Sequence, residues 1–132
     1  EEKVVMTGFI EDEDLPVVYS MASLLLFPSL AEGFGFPVLE AMSCGTPVVA
    51  GDIAALQEVG GDAVRLAAPD DLPDLREAIE DVLCDEERRG RMRERGRERA
   101  RRFTWRAYAE NLLALYHEVM QEDRLRHDAP GP

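Results

Sequence analysis

Residues 28 to 50, PSLAEGFGFPVLEAMSCGTPVVA, limit the folds open to this chain more than any other stretch. The apolar run from Leu24 to Phe27 stops at Pro28. A loop carrying Glu32, Gly33 and Gly35 follows, and a helix can open at Phe36 with Pro37 in its first turn, where a missing N–H is harmless. Gly45 stops that helix, and Pro47 to Ala50 reads as the next buried strand. Strand, glycine loop and helix N-terminus in that order make an anion site in an α/β sheet. The loop backbone can come close to a phosphate, and the first-turn N–H groups are unpaired. Glu32 lies in the loop and Glu40 about one turn inside the helix, eight positions on. Gly33, Gly35 and Pro37 interrupt the geometry between them, so spacing leaves open whether both carboxylates fold back beside one ligand.

Around this block the chain alternates. Val4 to Ile10 reads as a strand ending near Gly8, and the acidic turn at 11 to 14 leads into a helix over Leu15 to Ala22, capped by Asp14. Ser23 to Phe27 is apolar without alternation, as a parallel strand covered on both faces should be. Beyond the block a helix over Ile53 to Val59, a strand over Ala63 to Ala67 and a helix running to about Cys84 are expected, the last burying Leu75, Ile79, Val82 and Leu83. Strand and helix thus alternate four times, which predicts an α/β fold with a doubly wound parallel sheet. The final helix, about Trp105 to Gln121, is capped by Thr104 and carries a packing stripe through Tyr108, Leu112, Leu115, Tyr116 and Val119. His117 lies off that stripe and His127 falls in the tail, with no neighbours suggesting catalysis.

Charge excludes several functions. A net charge of -12 opposes non-specific contact with nucleic acid. Nine of the 15 basic residues sit between Arg88 and Arg102, but no aromatic accompanies them and Asp85, Glu86 and Glu87 precede them. That arrangement suits a solvated helix aligned with its own dipole. Cys44 and Cys84 are too few for a disulfide framework or zinc site, and both read as small buried helix residues. No apolar run approaches the ~20 residues of a membrane span, and no signal peptide opens the chain, so cytoplasmic residence is expected.

The central block resembles the signature of retaining, nucleotide-sugar-dependent glycosyltransferases of family four (group one), especially bacterial mannosyltransferase-like members. Their mark is a Glu, seven intervening residues and a second Glu in the context PS-x-x-EGFG-x-P-x-LEAM-x-CG-x-PV. Pro28, Ser29, Glu32, Gly33, Phe34, Gly35, Pro37, Leu39, Glu40, Ala41, Met42, Cys44, Gly45, Pro47 and Val48 all fit it. The similarity continues through Gly8, Leu15 and Tyr19 before the block and Glu58, Gly61, Pro69, Gly96 and Trp105 after it, covering roughly residues 4 to 120.

The resemblance implies a Rossmann-like sheet forming part of the C-terminal, donor-binding domain of a GT-B fold. Residues 1–122 would be that domain, incomplete at its N-terminal side, with 123–132 a polar tail. It implies transfer of a hexosyl group from a nucleoside-diphosphate sugar to a hydroxyl, with GDP-mannose the favoured donor and neither metal nor cofactor. Glu32 would bond donor-sugar hydroxyls and Glu40 the ribose diol, while Ser29 and Leu30 line the base or ribose side. Backbone around Gly33, Phe34, Gly35 and Phe36 would face the phosphates. Glu32 is the residue at the reacting sugar, with no covalent role assigned. The acceptor domain would be a missing partner, so the 132-residue chain alone is expected to be inactive and to pair as a homodimer through its uncovered surfaces. A peripheral position at the inner membrane face stays open for the full-length protein. The competing readings are a freestanding nucleotide or nucleotide-sugar binding module, an assembly domain with a decayed site, and a nucleic-acid binder built on the arginine helix.

Overall fold

The computed structural model of this chain describes residues 4 to 127, with side chains as far as residue 121. At its centre β2, Val48–Gly51, is buried at all four positions. It is flanked by β1, Leu25–Phe27, and β3, Arg65–Ala67, in a parallel sheet of order β1-β2-β3. The register sets Leu26 opposite Val49, and Ala50 opposite Leu66. Side chains alternate across the pleat, so β2 serves two cores. Val48 and Ala50 join one cluster with Val38, Ala41 and Met42 of α2 (Phe36–Cys44) and Leu56 and Val59 of α3 (Ala54–Gly60). Val49 joins the other, with Leu75, Ala78 and Val82 of α4 (Leu72–Leu83).

Local chemistry accounts for the element ends. The carbonyl of Gly35 receives the amides of Val38 and Leu39 at 3.1 and 3.3 Å, starting α2. Thr46 N–H returns to Ala41 O at 2.8 Å and closes it at Gly45. A 3-10 turn over Gly61–Ala63 follows α3. Asp71 caps α4 by accepting from Asp74 N–H at 3.2 Å, but Leu83, expected in the buried stripe, is exposed at the last turn. Asp14 holds the cap position of α1 (Leu15–Met21) without bonding through its side chain. Instead its amide closes a turn onto Glu11 O at 2.9 Å.

The sequence expectation of a strand over Val4 to Ile10 fails. Those residues form no strand and Gly8 turns with φ at 68°, while Val5, Met6 and Phe9 are more than four-fifths exposed. A strand exists only by pairing, and among the described residues β1 has a single neighbour, β2. The arginine helix is also more than a solvated face. α5, Glu86–Ala100, buries Met92, Gly96 and Ala100 at four-residue spacing. Met92 enters the second core and Ala100 the first, while a Cβ at Gly96 would sit 3.4 Å from Met42. Its guanidinium groups end other helices: Arg99 donates to the carbonyls of Glu58 and Val59 in α3, and Arg89 to those of Val82 and Leu83 in α4. Cys84 is exposed because it stands at the end of α4, while Cys44 is half-buried.

The chain divides into two compact units after Arg101. The second unit holds α6, Trp105–His127, which is helical well past the expected end at Gln121. Thr104 Oγ1 accepts the amide of Ala107 at 3.1 Å, as the capping sequence predicts. Trp105 and Tyr108 meet edge to face at 6.3 Å. The expected packing stripe is nonetheless mostly exposed, with Trp105 at 78% and Tyr116 at 58%. His117 is exposed, in keeping with its place off the stripe, and residues 128–132 of the expected tail lie outside the described chain.

Candidate functional site

The loop of residues 28 to 35 leaves β1 at the carboxyl edge of the sheet, where parallel α/β sheets bind ligands. Its position is fixed from below. Gly51 closes β2, and a side chain there would strike the carbonyl oxygen of Ser29, so the loop backbone rests on the end of the central strand. Gly35 makes the turn into α2 with φ at 100° and ψ at 47°. A Cβ at that buried position would stand 2.5 Å from Leu56 Cδ2, so both conformation and space require glycine. Gly33 differs. Nothing lies within 4 Å of where its Cβ would be, so the chain's own packing gives no reason for glycine there.

The expected site residues separate into those that anchor the loop and those that present it. Phe34 packs against the first core and its ring lies 4.8 Å from that of Phe36, tilted by 44°. Phe36 and Leu30 are 52% and 69% exposed and offer apolar surface. Ser29 Oγ lies 2.8 Å from Glu32 Oε1 and 3.1 Å from Ala31 O. Its single proton favours the charged acceptor, which ties the Glu32 carboxylate to the start of the loop.

Glu40 is held from another element. The hydroxyl of Tyr19, on α1, donates to Glu40 Oε2 at 3.1 Å. The carbonyl of Tyr19 in turn accepts from Thr46 Oγ1 at 2.6 Å, which seats α1 beside the end of α2. Burial, then the hydrogen bond and charge of Glu40, push the Tyr19 hydroxyl up to about 12, so it remains a donor throughout the neutral range. Tyr19 falls within the helix expected over Leu15 to Ala22, but the sequence could not show this bond, which spans 21 residues.

Glu32 and Glu40 are thus steered by separate hydroxyl groups on either side of the Gly35 turn. Both are exposed, and among the described residues neither pairs with a cation. An ionised carboxylate has about four acceptor positions, so one bond from a serine or tyrosine leaves room for ligand hydroxyl groups. Among the described residues no side chain caps the N-terminus of α2, leaving its dipole open to an anion. Among the described residues no cluster of His, Cys, Asp or Glu could hold a metal ion. No helix of the described chain is long and apolar enough to cross a membrane.

Two cavities lie elsewhere. One is on α4, lined by Leu72, Pro73, Arg76, Glu77 and Glu80. The other gathers Arg65, Arg88, Arg91 and Arg95 near Met92. Asp74 and Asp81 pair with Arg65, Asp81 also with Arg88, Glu87 with Arg91 and Asp62 with Arg95, so its positive charge is matched within the chain.

Comparison with known proteins extends these observations. The family model described as "Glycosyl transferases group 1" matches residues 1–99. O-antigen chain mannosyltransferase B of Escherichia coli is 44% identical over 74% of this chain and 26% of its own length. D-inositol 3-phosphate glycosyltransferase of Mycolicibacterium smegmatis is 36% identical over 90% of this chain and 27% of its own length. Among solved structures, sucrose-phosphate synthase from Thermosynechococcus elongatus superposes with a TM-score of 0.79 at 35% identity. That match covers 91% of this chain and 31% of the enzyme. The chain therefore spans about a quarter to a third of these relatives.

Proposed function

This chain belongs to the glycosyl transferases of group 1, and from that premise we propose that it supplies the donor side of a retaining hexosyltransferase acting on a nucleoside-diphosphate sugar. Its α/β architecture, with a three-stranded parallel sheet and flanking helices, is that of a partial GT-B, Rossmann-like domain. One observation carries the reading. Two carboxylates that have no cationic partner among the described residues flank a glycine turn at the carboxyl edge of a parallel sheet, where Gly35 gives the helix N-terminus no side-chain cap.

In this reading the α2 N-terminus meets the diphosphate, where leaving-group charge grows during transfer. Glu32, steadied by Ser29, accepts hydrogen bonds from donor-sugar hydroxyls and holds the anomeric carbon toward the acceptor. Glu40 accepts from the ribose diol, a pairing for which a carboxylate is suited. Leu30 and Phe36 supply apolar surface on the nucleotide side. A second domain, outside this chain, closes the cleft and binds the acceptor. The donor sugar is mannose and the nucleotide GDP, a choice supported by the mannosyltransferases among the relatives, including a "MMP alpha-(1->4)-mannosyltransferase" 35% identical over 84% of this chain.

The test is donor turnover by the whole protein. Incubated with GDP-mannose, UDP-glucose and ADP-glucose in turn, it should release nucleoside diphosphate fastest from GDP-mannose. Faster release from another donor would replace the sugar while keeping the class. Binding without turnover of any donor, in the presence of a broad set of hydroxyl acceptors, would favour a nucleotide-binding module instead.

A further inference from the structure

We infer that Tyr19 is the positioning residue of the nucleotide site, holding the Glu40 carboxylate in the orientation that reads the ribose diol. The inference rests on the ribose role proposed for Glu40 and adds to it the group that sets its geometry. Glu40 lies on the exposed side of α2, where a glutamate would otherwise turn freely about three side-chain bonds. A ligand that must first fix such a carboxylate loses affinity to the ordering.

Tyr19 removes much of that freedom before the ligand arrives. Its ring packs against the first core, and its hydroxyl reaches Glu40 Oε2 at 3.1 Å. With Oε2 engaged, Oε1 is the oxygen presented for new hydrogen bonds, together with the remaining lone pair of Oε2. The ring has only two side-chain torsions and is anchored by packing, so its hydroxyl serves as a fixed point. α1 is seated independently of that hydroxyl, because Thr46 Oγ1 bonds the backbone carbonyl of Tyr19 at 2.6 Å. Tyr19→Phe therefore removes the oriented donor and keeps both the ring and the helix contact.

The diagnostic is discrimination between a ribonucleotide and its 2′-deoxy counterpart, which a merely structural tyrosine would not alter. Calorimetric titration of GDP and 2′-deoxy-GDP into the whole protein measures it, with UDP and 2′-deoxy-UDP substituted if they bind more tightly. Wild type should prefer the ribonucleotide by about tenfold or more. Tyr19→Phe should bind the ribonucleotide roughly three- to tenfold more weakly and the 2′-deoxynucleotide, which keeps one of the two hydroxyls, less so, shrinking the preference. An unchanged ratio in a folded Tyr19→Phe protein overturns the inference, as does tighter ribonucleotide binding, which would make the hydroxyl a competitor. Glu40→Ala is the separate arm: if it keeps the ribose preference, the role of Glu40 itself fails. Should Tyr19→Phe not fold, the wild-type crystal structure with GDP decides. Tyr19 must remain within hydrogen-bond distance of Glu40 Oε2 while Glu40 contacts the ribose, and a phenol swung away contradicts the proposal.

Discussion

Replacing Gly35 with alanine would place a methyl group 2.5 Å from Leu56 Cδ2 while the backbone holds φ at 100°. The strain and the clash together should destabilise the fold by about 2–4 kcal/mol, read as a lower urea midpoint. Gly33→Ala meets nothing within 4 Å and should change the stability by less than about 0.5 kcal/mol, leaving that midpoint nearly in place. If nucleotide-sugar occupies the space beside Gly33, the same substitution weakens donor binding. Equal losses of stability at both positions would contradict the division. The two glycines look alike in the sequence, and the left-handed backbone at Gly35 together with the packing of Leu56 separates them. Glu32 and Glu40 were legible because their motif is local. Tyr19 and Gly51 were not, since each acts on a residue about twenty positions away through contacts that no periodicity encodes.

α5 shows how an element can be hidden by its composition. Its buried positions are Met92, Gly96 and Ala100, of which two carry little apolar weight, and arginines surround all three. The sequence therefore reads as a solvated helix, whereas small residues let it approach α2 and long arginine stems reach the ends of its neighbours. Arg99→Ala should cost about 1.5–3 kcal/mol, because its hydrogen bonds satisfy carbonyls at the end of α3. Arg91→Ala, which loses only an exposed pair with Glu87, should cost about 0–0.5 kcal/mol. Denaturant unfolding of the two variants checks both, and equal midpoints would mean that the Arg99 bonds are not structural. Val4 to Ile10 is the opposite case. Its residues have strand character, but strand structure depends on an edge to pair with, and that lies beyond what a single segment can specify.

At the scale of the molecule, the chain corresponds to 15% of the E. coli serotype-specific mannosyltransferase WbdA and 31% of the sucrose-phosphate synthase structure. The exposed apolar residues of the 4–9 segment and those of α6 are each the kind of surface that another chain segment or a second copy would cover. Pairing of two copies through such surfaces stands as a proposal, opposed by a net charge of -12. Alternation of strand and helix made the parallel sheet legible, and Pro28 after β1 and Pro47 before β2 mark two of its strand limits. The central claim is that residues 28 to 40 bind the nucleotide-sugar donor. Its most direct test is calorimetric titration of nucleoside diphosphate into the whole protein and into its Glu40→Ala variant, with thermal melts as the control for folding. Binding to the variant should be weaker by about 1.5–3 kcal/mol, roughly ten- to a hundredfold, with the melting temperature nearly unchanged. An identical dissociation constant in the two proteins would contradict it.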